Sequence, residues 1–227
     1  MRAFGAHEWQ VTGLDLSQDL LIAARNVGGQ APAHDDPIDP VDPLVIKQSL
    51  SPVLLPALAR ADIRHLPLPA GGFDLVANVF TSLGYFDDDR VNAAALGELV
   101  RLVRPGGWLL IDFLDAAHVR ATLQAHTVRT TPQGWAVDER REILPPDSAK
   151  HQVVPRVVKT ITITKPESPG HPLSHREEVA LLDRDWFQGH LRDRGLTFVE
   201  SHVSYTGEPV QQVGKSPRLI LFAKAML

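Results

Sequence analysis

The sequence contains no cysteine. That excludes disulfides, thiolate metal ligands and a cysteine nucleophile, and it fits a reducing compartment. No apolar run approaches the ~20 residues that span a bilayer. The N-terminus has no apolar signal-peptide core, so the expected location is the cytoplasm and no membrane partner is expected. The formal net charge is −4 with no basic cluster, which argues against nucleic acid as the main partner. The ten histidines are scattered, and the pair His171 and His175 is interrupted by Pro172. Solvated surface histidine is the expectation, and no metal site. No Ser/His/Asp order and no paired-carboxylate constellation is visible.

The most consequential absence concerns glycine. Residues 11–15, Val-Thr-Gly-Leu-Asp, read as a buried strand ending in a carboxylate, with a helix starting at the N-cap Ser17. In doubly wound nucleotide-binding domains an acid at this place follows the first glycine of the phosphate- or ligand-cradling loop by about 20 residues. Counting back that far from Asp15 runs past Met1. The ribose-binding half of a cofactor site is present without a glycine-rich half, and weak or no cofactor binding is expected of these 227 residues.

What is present is ordinary for a globular protein: 44% hydrophobic and 22% charged residues, enough chain for one α/β domain with an insertion. Leu20, Leu21 and Ala24 fall on one helical face after Ser17. Residues 28–58 are rich in Pro and Asp, which forbids a regular helix over most of the stretch; either a lid or a surface loop fits. A short amphipathic helix is expected around 52–60, then a strand at 59–63. Residues 73–80 read as a buried strand, 88–103 as a helix and 108–114 as a strand buried on both faces. Strand–helix–strand at these lengths implies a parallel crossover. Residues 116–125 look helical. The stretches 135–144, 153–164 and 173–182 alternate charged and apolar residues, as half-exposed antiparallel strands do. A helix at 183–194 and two final strands at 196–205 and 218–225, expected to pair antiparallel at the sheet edge, complete the chain.

Five segments in order resemble class I S-adenosylmethionine-dependent methyltransferases. They are Val11-Thr-Gly-Leu-Asp-Leu-Ser17, Ala61-Asp-Ile-Arg-His-Leu-Pro67, the strand 73–80 running on to Phe86, Arg101-Leu-Val-Arg-Pro-Gly-Gly-Trp-Leu-Leu-Ile-Asp-Phe113, and Ser216-Pro-Arg-Leu-Ile-Leu-Phe222. The resemblance implies a Rossmann-like, doubly wound, mostly parallel α/β sheet with an antiparallel C-terminal strand pair. It implies a core over 1–130, a small antiparallel β insertion over 131–182 as a lid, and a return to the core at 183–227. Residues 1–10 would be the remnant of the first helix, with the first strand absent. The second strand, 11–15, and the fourth, 73–80, would then flank a gap.

The resemblance also implies S-adenosyl-L-methionine as cofactor and a small molecule as methyl acceptor. Asp15 and Leu16 would meet the ribose, although an acid there also suits a helix start. Asp62 would accept the adenine amino hydrogens and Ile63 would offer a backbone N–H, or Asp62 is a loop acid. Asn78, Val79 and Thr81 would lie under the sulfonium and methionine ammonium, or Asn78 is a turn amide. Tyr85 and Asp115 would face the reacting groups, where Tyr85 equally packs and Asp115 equally caps a helix. Gly84 would allow close backbone approach to the acceptor. Arg140, Arg141 and Arg176 on the insertion suit an acidic acceptor or an exposed strand face. Three functions compete: such a methyltransferase, truncated at its start, whether active or inactive as this chain; a degenerate methyltransferase-like binding or scaffold protein without cofactor; and a nicotinamide oxidoreductase sharing the ribose acid.

Overall fold

A computed structural model describes residues 10–26, 57–202 and 216–227. The expectations for the N-terminal helix remnant, the Pro/Asp-rich stretch and the end of the strand at 196–205 lie outside the described residues. The chain divides into two units, Met1–Pro67 and Leu68–Leu227.

In the first unit, strand β1 (Thr12–Asp15) pairs in parallel with β2 (Ala57–Arg60), and helix α1 (Gln18–Asn26) follows β1. Ser17 caps that helix as expected, its Oγ accepting the Leu20 N–H at 3.3 Å. The apolar face expected of α1 is not buried: Leu20 is 61% exposed. The expected helix at 52–60 is corrected over its described part. Residues 57–60 are extended because their backbone groups complete the ladder with β1, and tertiary pairing overrides local helix periodicity.

In the second unit the main sheet has the order β3-β4-β10-β9. Strand β3 (Phe73–Asn78) leads into helix α2 (Asp89–Leu102) and then β4 (Val103–Leu114), which is parallel to β3. Asp88 starts α2 by accepting the Arg90 N–H. The Arg104-Pro-Gly-Gly stretch forms a bulge at the start of β4. Phe73 faces Val103 whereas Leu75 already faces Trp108, so the extra residues loop out, with Gly106 at φ 71°. Strand β10 (Arg218–Ala225) inserts antiparallel between β4 and β9 (Leu196–His202). Leu109, Ile111 and Phe113 alternate along β4 onto one face, opposite Ala223, Leu221 and Leu219 of β10, and all six are nearly inaccessible. Each large side chain so buried contributes about 1.5–3 kcal/mol. Helix α4 (Arg184–Arg192) closes this face, with Phe187 edge-on to Phe113 at 5.3 Å. The outer edge of β3 has no strand partner among the described residues, and β1 and β3 belong to separate sheets.

Helix α3 (Ala116–Thr122) is shorter than expected and precedes a second, wholly antiparallel sheet. Its strands are β5 (His126–Thr130), β6 (Ala136–Leu144), β7 (Arg156–Thr164) and β8 (Leu173–Ala180), in that order. The insertion therefore begins with a strand at His126 that sequence alternation missed. His-Thr-Val-Arg-Thr has a single apolar residue and is stabilised by its ladder to β6.

Candidate functional site

Open α/β sheets bind ligands beyond the carboxyl ends of their strands. The expected site residues sit at such ends, in two groups, one in each unit.

In the first unit, parallel pairing places Asp15 opposite Arg60. The Ala61 N–H donates to the Asp15 carbonyl at 3.0 Å, so the chain from Asp15 and the chain into Asp62 leave the same end of the sheet. Asp15 Oδ1 accepts the Ser17 N–H at 2.7 Å, which fixes the carboxylate at the entrance to α1. Leu16 beside it is 60% exposed, and its carbonyl accepts from Arg60 Nε at 2.8 Å. Asp62 lies in a tight turn closed by a bridge to His65. Both its carboxylate oxygens accept from the Arg64 guanidinium, and Oδ1 also accepts the Arg64 N–H at 2.9 Å. The hydrogen bonds from Arg64 hold the Asp62 carboxyl down at about 2. A base amino group meeting Asp62 thus competes with an existing fork. Ile63 is half-buried in the same turn. The recess of this unit, about 340 Å³, is lined by Gln18, Leu21, Ile22, Arg25, Leu58 and Arg60; neither Asp15 nor Asp62 lines it.

In the second unit, β3 ends at Asn78, which pairs with Ile111. Asn78 is 5% exposed, and its Oδ1 is buried without a hydrogen-bond partner among the described residues. Such an orphan acceptor costs about 1–3 kcal/mol unless a ligand or water satisfies it. Val79 and Phe80 follow on the surface, and Thr81 turns inward. Phe80 and Thr81 both have φ 58°. Two consecutive left-handed residues, one of them β-branched, cost on the order of 1–3 kcal/mol each. The turn is held from β4: the Phe80 N–H donates to Asp112 Oδ2 at 2.9 Å and the Thr81 N–H to the Asp112 carbonyl at 3.1 Å. Asp112 is inaccessible and is ion-paired with Arg218 of β10, whose Nε lies 2.7 Å from Oδ1. Arg218 Nη1 reaches Thr81 Oγ1 at 3.4 Å.

The expectation for Gly84 is corrected. Its φ is +89°, and a Cβ there would stand 3.1 Å from both Phe113 Cζ and Val179 Cγ1. Its carbonyl accepts the Ala180 N–H at 2.8 Å. Gly84 permits close packing of the insertion against the core rather than approach of an acceptor. Tyr85 next to it is 47% exposed. Partial burial, and then the nearby Glu177 carboxylate, push its phenol above the ordinary value. Asp115 caps α3: Oδ1 accepts the Ala117 and His118 N–H groups at 2.8 and 3.1 Å, and the residue is 6% exposed. Its observed role is therefore in the helix start. On the insertion, Arg140 pairs with Asp138 and Arg176 with Glu178, all four on one face of the sheet. Arg141 lies on the opposite face with Glu139 and Lys159.

Asp112, Arg218 and the buried Arg156 were not singled out from the sequence. Asp112 and Arg218 both lie inside segments that carried the resemblance, and the signal was an acid and a base within otherwise apolar strands. Among the described residues, no group of three or more His, Asp or Glu is placed to hold a metal ion.

Residues 1–111 match the model of a family described as "Methyltransferase domain". No curated protein matches the chain. Among solved structures, an S-adenosylmethionine-dependent methyltransferase from Clostridium acetobutylicum is 15% identical with a TM-score of 0.68, over 97% of this chain and 77% of that one. The CcbJ methyltransferase from Streptomyces caelestis is 14% identical with a TM-score of 0.70, over 98% and 77%. The glycopeptide N-methyltransferase MtfA, solved with S-adenosyl-L-homocysteine, is 18% identical with a TM-score of 0.53, over 100% and 76%. Residues 1–111 thus match a methyltransferase domain, and the chain shares the fold of solved class I methyltransferases.

Proposed function

We propose that this protein transfers a methyl group from S-adenosyl-L-methionine to a small-molecule acceptor. The observation that carries the reading is the parallel register of β1 and β2, which brings Asp15 and Asp62 to one end of a sheet. In the second unit another acceptor, Asn78 Oδ1, is buried without a partner among the described residues at the carboxyl end of β3, a place suited to an ammonium donor.

In this reading Asp15 accepts hydrogen bonds from the vicinal ribose hydroxyls, with Leu16 alongside. Asp62 and the Ile63 N–H flank the adenine. Within the second unit, taken by itself, the end of β3 with Asn78, Val79 and Thr81 suits the methionine end of such a cofactor. When bound, the cofactor supplies an electrophilic methyl group on a sulfonium. The chain's own part is to hold the acceptor atom in line with that methyl, which can supply much of the rate. Tyr85, half-exposed with a raised pKa, stays protonated at neutral pH and can donate a hydrogen bond to the acceptor. Asp115, on the same reading, lies beside the acceptor's side of the sheet while its carboxylate caps α3. A small acceptor is favoured because solved structures of this fold include a sugar N-methyltransferase, KedS8 from Streptoalloteichus. The insertion supplies its outer wall.

Thermal melting with S-adenosylhomocysteine and with NAD+ tests the reading. A ligand that binds only the folded state raises the melting temperature with concentration. A shift with S-adenosylhomocysteine alone is expected. A shift with NAD+ alone favours the oxidoreductase, and no shift with either favours the scaffold.

A further inference from the structure

The left-handed turn at Phe80 and Thr81 asks for an explanation that strand geometry does not supply. A strand can end without two consecutive residues at φ 58°. Such backbone persists only where its surroundings over-determine it, and it concentrates at ligand sites. Here the surroundings are specific. Asp112 grips the turn twice, through its carboxylate to the Phe80 N–H and through its carbonyl to the Thr81 N–H. Ser82 Oγ donates to the Val79 carbonyl at 2.7 Å and closes the turn on itself. The Asp112 carboxylate is wholly buried, so it requires a countercharge. Arg218 provides it from β10. Ile220 is the register partner of Asp112; Arg218 lies two residues away on the same face and reaches across diagonally. Its Nε bonds Asp112 and its Nη1 reaches Thr81 Oγ1.

We propose that Arg218 is a positioning residue for cofactor binding, holding the Phe80–Thr81 turn through Asp112 so that the carboxyl end of β3 keeps the shape that receives the methionine portion. The proposal rests on the reading of this strand end as part of the cofactor site. Its consequence is that an arginine on the last strand, which touches no ligand, sets the conformation of residues that do.

The test uses the whole chain in four forms: wild type, Arg218→Lys, Arg218→Ala and the double variant Arg218→Ala/Phe80→Gly. S-adenosylhomocysteine affinity is measured by isothermal titration, and amide hydrogen exchange is followed through 79–82. Arg218→Lys keeps the charge on Asp112 but loses the guanidinium reach to Thr81. In the free protein it is expected to speed exchange at Phe80 and Thr81 at least tenfold while the remaining β3 and β4 amides keep their protection. Arg218→Ala is expected to weaken S-adenosylhomocysteine at least tenfold. Adding Phe80→Gly, which tolerates positive φ without strain, is expected to recover most of that loss. Unchanged affinity in Arg218→Ala overturns the proposal. So does a uniform rise in exchange across the sheet, or a loss of affinity that glycine fails to restore, since either marks a merely structural role. If the wild type does not bind S-adenosylhomocysteine, the cofactor reading itself fails. The exchange arm alone then decides whether Arg218 holds the turn, and unchanged exchange in Arg218→Lys rejects it.

Discussion

Arg156 and Asp89 form a buried ion pair, Nη2 to Oδ1 at 3.1 Å, with side-chain exposures of 1% and 4%. The pair joins the first residue of β7 to the first turn of α2, and thereby the insertion to the core. Arg156 Nη2 also donates to the carbonyls of Phe86 and Asp87, and Asp89 Oδ2 accepts the Val153 and Val154 N–H groups. The segment carrying Gly84 and Tyr85 is held between these bonds and the Ala180 N–H. Breaking a buried pair from one side costs about 3–5 kcal/mol because the other charge is left uncompensated. Arg156→Ala is expected to lose about 3 kcal/mol, the low end, since Asp89 keeps two backbone donors. Urea unfolding measures it, and a loss below about 1 kcal/mol contradicts the clamp.

Gly84 meets two demands at once. Its φ of +89° disfavours a side chain, and the space for a Cβ is taken by Phe113 and Val179. Gly84→Ala is expected to cost about 1–3 kcal/mol in backbone strain, with crowding adding about 1–3 kcal/mol. Thermal unfolding of the variant checks it; an unchanged melting temperature means the 84–86 segment is looser than described.

The Asp62 carboxyl is held at about 2, chiefly by the hydrogen bonds from Arg64. A group whose folded pKa is depressed stabilises the fold above its unfolded pKa, and that contribution is lost as pH falls through the folded value. For Asp62 the loss therefore falls between the ordinary carboxylate range near 3.8 and about 2. Carboxyl carbon NMR should show a midpoint near 2 in the wild type and a return toward 3.8 in Arg64→Ala. A wild-type midpoint in the ordinary range means that the Arg64 fork does not persist in solution.

The strands with strong apolar content were legible in the sequence, because a core strand needs little beyond burial to declare itself. Leu109, Ile111 and Phe113 are the example. Two elements were less so. A strand is expected at 59–63, but its start falls under a helical pattern, and pairing to β1 extends residues 57–60 instead; His126–Thr130 has one apolar residue and depends on β6. The first owes its form to a strand distant in sequence, the second to the next strand of its own hairpin. That Asp15, Asp62, Asn78 and Thr81 lie at or just past the carboxyl ends of strands was legible in the sequence. The supports were not: Arg156 stands among valines and a proline like any outward polar residue of a strand. Its burial follows only from where Asp89 arrives. Gly84 was assigned to the acceptor because glycine reports a close approach without saying by what.

The account's central claim is that the carboxylate at the end of β1 receives the ribose of S-adenosylmethionine. Isothermal titration of S-adenosylhomocysteine into the wild type and Asp15→Ala tests it most directly. A hydrogen bond to a charged group contributes about 1.5–3 kcal/mol, or roughly 10- to 150-fold in affinity. The sequence alone leads to an expectation of weak or no binding; the strand-end placement of Asp15 and Asp62 leads the account to predict saturable binding to the wild type instead, and a loss of that size in Asp15→Ala, with the fold intact by circular dichroism. Equal affinity in the two proteins, or no binding by the wild type, contradicts it.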